Sequence, residues 1–135
     1  MDLTAPRPRP SAVTQPFWEG LRKEEVRIQH CSRCDAHFFY PRAMCPTCWS
    51  AEVRWRTVSG AGTLHTFTIA RVPTAPHFAH EVPQKIGVVE LDEGPRMTAS
   101  IVEVAPEDLQ VGIRLSPVFE HLSDAPITLL RFRPT

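Results

Sequence analysis

No stretch of this 135-residue chain approaches the ~18 consecutive apolar residues of a membrane-crossing helix. Its first 13 residues, MDLTAPRPRPSAV, lack the apolar core of a secretory leader, so an intracellular, cytoplasmic location is expected. Net charge is also absent: 15 Lys and Arg balance 15 Asp and Glu, so no overall field draws the chain to nucleic acid or anionic lipid. It has no Gly-rich phosphate loop, no nucleophile set beside a base and no carboxylates spaced for joint acid–base work, so catalysis by this chain alone is not expected. Cysteine is missing everywhere except between residues 31 and 48, where all four stand. In a reducing compartment, such clustering points to metal ligation rather than disulfides.

What is present suits a soluble globular domain, with 42% apolar and 22% charged residues. The length fits one ordinary domain, or one small domain with a mini-module attached. Charge is unevenly spread, the first 60 residues having a cationic surplus and the remainder an anionic one.

Residues 1–15, rich in Pro and Arg, read as a flexible arm. A short helix is expected from about Pro16 over PFWEGLRKEE, with Thr14 or Gln15 as cap and with Phe17 and Leu21 on one face. VRIQH and VRWRTV read as strands flanking the cysteine segment, and FFYP as a strand between the cysteine pairs. SGAG (59–62) is a turn or bulge. Strands are then expected at 63–72, 85–91, 96–104, 113–121 and 127–132, with a Pro-rich loop at 73–83 and a helical turn at PEDL (106–109). Five strands with a helical element between the third and fourth predict a mainly β chain ending in an OB barrel. An SH3-like barrel or an open sandwich remains compatible. The division is an arm (1–15), a helix with a zinc ribbon (16–58) and a barrel (59–135).

The cysteines follow Cys31-x2-Cys34-x10-Cys45-x2-Cys48. Two such pairs bring four thiolates to the corners of a tetrahedron around one Zn2+, at ~2.3 Å from each sulfur. Four sulfurs leave no open coordination position, so the metal is expected to be structural, standing in for the core that a ~20-residue module cannot build. Asp35 and Trp49 occupy the positions after each pair where glycine is usual.

From residue 16 onward the chain resembles a known family. The resemblance is carried by PFWEGLR (16–22), the two C-x-x-C pairs with YPR (40–42) between them, SGAGTLHTFT (59–68), VP (82–83), VVELDEGPR (88–96), EDLQVGIRLSPVFE (107–120) and RFRP (131–134). The family is the thiolase-associated zinc-ribbon/OB-fold family, long labelled domain of unknown function thirty-five. It implies a rubredoxin-like ribbon and an OB barrel in an accessory subunit. Such a subunit would form a hetero-oligomer with a thiolase-like enzyme of the lipid-transfer-protein/thiolase superfamily acting on acyl-CoA thioesters, such as a steroid side-chain retro-aldolase. Catalytic residues would belong to the partner, with acyl-CoA near the shared interface. Gln84 departs from the aromatic or apolar residue common at its position.

Three readings compete. For an accessory subunit, Phe17, Trp18 and Leu21 are the expected partner-binding residues, and His77, Phe78 and His80 line a substrate channel or interface loop. Trp49 and Trp55 fit either an interface or the ribbon–barrel junction. Single-stranded nucleic-acid binding is the alternative from another class, since OB barrels and zinc ribbons both serve it. An anionic barrel half with a single lysine, Lys85, argues against it. An enzyme built on His77, His80 and Glu81 is the third reading, weakened because nearby histidines in a Pro-bounded loop commonly face solvent.

Overall fold

The computed structural model describes residues 5–135. Most of the expected flexible arm falls within them, whereas its first four residues lie outside. In the described part, Arg7 ion-pairs with Asp124 at 2.7 Å, which fastens the arm to the hairpin loop before the last strand.

Helix α1 (Gln15–Arg22) has proline in its first turn and Arg22 in its last, both suited to helix geometry and dipole. Thr14 sits at the N-cap without capping through its side chain. Its Oγ1 instead accepts the Ser11 N–H at 2.8 Å. Gly20 makes room for the Arg27 stem, since a Cβ there would stand 2.7 Å from it and push it aside. The helix buries Phe17, Gly20 and Leu21.

Strands β1 (Val26–Cys31), β2 (Ala36–Phe38) and β3 (Val53–Val58) form an antiparallel sheet in the order β2-β1-β3. The strand expected over FFYP is corrected: it comprises Ala36–Phe38, and Phe39 and Tyr40 lie beyond it. The Gln29 side chain substitutes for the missing ladder. Its amide donates to the Arg42 carbonyl and its Oε1 accepts the Arg42 N–H, each at 2.7 Å.

A second sheet follows, of β4 (Gly62–Ala70), β5 (Gln84–Leu91), β6 (Arg96–Ser100), β7 (Arg114–His121) and β8 (Thr128–Pro134), ordered β6-β5-β4-β7-β8. The 73–83 segment contains a 3-10 turn, Pro76–Glu81, in place of an unstructured loop. The expected turn at PEDL is a 3-10 turn at Pro106–Asp108. The sheet closes where Ile101 and Phe132 pair in parallel, giving the OB barrel. Gly62 lets β4 lie close to β5, since a Cβ would meet the Glu90 carbonyl at 2.6 Å.

One core joins the two sheets. Val26 and Ile28 of β1 pack with Leu64, Val89, Leu115 and Phe132 of the barrel. Burying side chains of this size contributes about 1.5–3 kcal/mol each. Ribbon and barrel therefore stabilise each other through β1.

Candidate functional site

The end of β1 supplies Cys31 and the turn after it Cys34, while the segment before β3 supplies Cys45 and Cys48. Their four sulfurs lie within 4.8 Å of one another, with Cys31–Cys48 at 3.5 Å and Cys34–Cys45 at 3.6 Å. A tetrahedron with ~2.3 Å metal–sulfur bonds has edges of about 3.8 Å, so the donor set fits a tetrahedral ion. The electrostatics of the thiols agree. The N–H of Cys48, and after it that of Thr47, brings the Cys45 thiol down to about 6 against the opposing effect of burial. Desolvation, and then the neighbouring sulfurs, push Cys34 up to about 12. Four crowded sulfurs cannot all ionise unaided, whereas a divalent cation in their midst makes each a thiolate.

Asp35 and Trp49, which follow the two pairs, adopt left-handed backbone with φ of 58° and 64°. The missing glycines thus leave the knuckle geometry intact at some backbone cost. Asp35 gains a compensating contact, its Oδ1 lying 2.7 Å from Nε2 of the buried His30. That hydrogen bond holds the Asp35 carboxyl below its usual range. Trp49 has no such compensation and is 76% exposed, so it does not fill the ribbon–barrel junction, while Trp55 is half-buried. His37 lies outside the sulfur cluster. Its ring stands 4.7 Å from that of His30, and burial lowers its pKa.

A groove of about 700 Å³ lies between α1, the ribbon and the barrel. Aromatic rings line one wall in series, with Trp18 5.2 Å from Phe17, Phe17 5.3 Å from Phe39, and Phe39 5.4 Å from Tyr40. The opposite wall is β6 and the start of β8. The structure therefore brings Phe17, Trp18 and Leu21 together with Phe78. It leaves His77 and His80 outside the groove. Leu21 is fully buried and Phe17 nearly so, which makes Trp18 the member of that trio with surface to offer. His80 lies 3.9 Å from Glu81 with most of its side chain in solvent. Sequence reasoning did not bring Phe39 and Tyr40 into one groove with the facing β6 residues, because their meeting depends on how the ribbon docks on the barrel.

Cationic side chains of the barrel are largely neutralised. Arg96 pairs with Glu90, Arg114 with Asp92, Arg131 with Glu81 and Glu120, and Arg133 with Glu103. Lys85 donates to the Val104 carbonyl. Such pairing leaves little free charge for a phosphate backbone.

Comparison with known proteins agrees with this architecture. Residues 18–54 match the family model described as ChsH2, rubredoxin-like zinc ribbon domain, and residues 55–120 that described as ChsH2, C-terminal OB-fold domain. A DUF35 domain-containing scaffold protein of Methanocaldococcus jannaschii is 33% identical over 79% of this chain and 77% of its own. A probable enoyl-CoA hydratase alpha subunit of Thermomonospora curvata is 36% identical over 95% of this chain, but the chain spans only 40% of that relative's length. It similarly spans 37% of the 3-oxo-4,17-pregnadiene-20-carboxyl-CoA hydratase alpha subunit of Mycobacterium tuberculosis, at 30% identity over 87% of this chain. Among solved structures, a chain of the Ltp2-ChsH2(DUF35) aldolase superposes with a TM-score of 0.81 and 29% identity, covering 95% of this chain and 98% of that one. The ribbon, the barrel and these relatives together establish that the chain belongs to the DUF35 family of zinc-ribbon/OB-fold proteins.

Proposed function

We propose that this chain is a non-catalytic accessory subunit that assembles with a thiolase-like enzyme acting on acyl-CoA thioesters, a steroid side-chain retro-aldolase, and supports its activity. The observation carrying the reading is the superposition, over nearly the full length of both chains, on a subunit of an aldolase complex. The scaffold-protein names of shorter relatives support the non-catalytic part, and the hydratase-subunit names of longer ones support an acyl-CoA setting.

Within that role, Cys31, Cys34, Cys45 and Cys48 hold one structural zinc ion. Zinc bound there supplies no chemistry beyond fixing the ribbon, and the residues 16–58 and 59–135 act as two units joined by one core. Trp18 and Phe78, both lining the groove, face the partner or its substrate, with Phe17 and Leu21 packed beside Trp18. His77 and His80 lie on the outer side of the same turn, within reach of an interface. The ion pairing of the barrel arginines favours this reading over single-stranded nucleic-acid binding. Fluorescence anisotropy with a labelled oligothymidylate separates the two. The accessory role predicts no binding at physiological salt, and salt-sensitive binding would favour the nucleic-acid role.

A further inference from the structure

The barrel wall of the groove is an open strand edge. At the two ends of the β5–β6 ladder, Ile101 N–H donates to Lys85 and Leu91 N–H to the Pro95 carbonyl, each at 2.9 Å. Hydrogen-bonded pairs in an antiparallel ladder alternate, so those between are Gly87–Ala99 and Val89–Met97. The N–H and C=O groups of Arg96, Thr98 and Ser100 therefore point away from β5. Among the described residues, β6 pairs with no other strand.

The facing edge belongs to β8. Leu122 N–H donates to Ile127 and Thr135 N–H to Arg114, each at 3.0 Å, and this fixes the alternation of the β7–β8 ladder. It turns the backbone groups of Thr128, Leu130 and Phe132 away from β7. The Phe132 carbonyl takes the Val102 N–H at 2.8 Å and closes the barrel there. From that vertex the two edges diverge, and the groove occupies the opening.

We propose that this seam receives an extended segment of the partner enzyme, which adds a strand to β6. The inference rests on the accessory role and specifies how the partner docks. The backbone pairs of Arg96 and Thr98 and the N–H of Ser100 are free and repeat every ~6.7 Å, the period of a strand, while the Ser100 carbonyl belongs to the parallel closure with Phe132. A small molecule with isolated amides meets one or two of them. Charge narrows the occupant further. The lining has Arg42, Arg96 and Arg131 against Glu81, and Arg42 has no acidic partner among the described residues. The segment therefore presents apolar side chains to the aromatic wall and a carboxylate toward Arg42. A second copy of this chain is a poor occupant, since the strand its own β6 edge would add, RMTAS, has no carboxylate to offer Arg42.

The test uses the full chain co-expressed in turn with thiolase-like enzymes of the source organism. Thr98→Pro removes one outward N–H and leaves the β5 ladder untouched, at an edge position that accepts proline. Val72→Ser, exposed and outside the groove, is the control. The seam predicts that Thr98→Pro weakens complex formation at least tenfold and Val72→Ser does not. It also predicts that in the wild-type complex the amides of Arg96, Thr98 and Ser100 exchange with deuterium at least tenfold more slowly than in the free chain. That readout holds whether or not the proline variant folds. Unchanged exchange at these amides in a stable complex overturns the seam and leaves the accessory role standing. The same slowing caused by acyl-CoA on the free chain assigns the groove to a small ligand and overturns the strand. Dimerisation of the free chain that Thr98→Pro abolishes assigns the edge to a second copy and overturns it too. A wild-type chain that binds none of the enzymes overturns the accessory role and this inference together.

Discussion

The backbone N–H of Val102 donates to the carbonyl of Phe132 across 2.8 Å, one residue beyond the parallel pairing of Ile101 with Phe132. Ile101 and Phe132 are also almost wholly buried in the core that unites ribbon and barrel. The point where the sheet closes is therefore the point where its apolar side chains meet. Short closure at one end of β6 and β8 leaves the rest of both edges free to form the groove.

Phe132→Ala is expected to cost about 3–5 kcal/mol, because the cavity it leaves is bounded by strands that cannot collapse together without breaking the closure. A domain of this size has only about 5–15 kcal/mol in hand, so urea denaturation should show the midpoint shifted far down. A loss under about 1 kcal/mol would mean that the closure is not the centre of stability.

Metal removal should propagate from ribbon to barrel. Cys31→Ser and Cys45→Ser, each assayed by zinc content and amide exchange, should lose the ion and expose β1. Since Val26 and Ile28 leave the barrel core with β1, barrel amides should exchange faster as well. Zinc loss with an unaltered β1 would contradict this coupling.

Trp49 tests the cost of its left-handed backbone. Its side chain is mostly in solvent, so truncation loses little packing. At φ 64°, Trp49→Gly should be more stable than Trp49→Ala by about 1 kcal/mol, since only glycine enters that region without strain. Equal thermal stability of the two variants would show that the knuckle relaxes instead.

Acid titration has a definite sign at Asp92. Arg114 hydrogen-bonds both carboxylate oxygens at 2.8 Å and holds the carboxyl below its usual range. A carboxyl depressed in the folded state contributes stability that is complete above its unfolded value of ~3.9 and lost as pH falls through the folded one. Asp92→Asn should therefore be slightly less stable than wild type at neutral pH, the urea midpoints converging below pH ~4. The pair is exposed and the gap small. A gap that stays constant into strong acid would assign the effect to something other than ionisation.

The sequence made the fold legible wherever local chemistry decides it. The Cys-x2-Cys spacing, the strand at KIGVVEL and the Pro-initiated PEDL turn each correspond to an element at that place. Strand ends were less legible. FFYP has strand composition, yet the ladder stops at Phe38 because a side chain, Gln29, takes over from backbone pairing at Arg42. The groove was legible only in fragments. Trp18 and Phe78 stand 60 positions apart, and what unites them is β1 docking into the barrel core, a non-local event that no window of sequence contains.

The most direct test of the account is the mass of the complex formed with a thiolase-like enzyme of the source organism, together with acyl-CoA turnover with and without this chain. The accessory role predicts a stable hetero-oligomer whose turnover collapses when the chain is omitted, and no turnover by the chain alone. A chain that remains by itself while the enzyme turns over undiminished would contradict it.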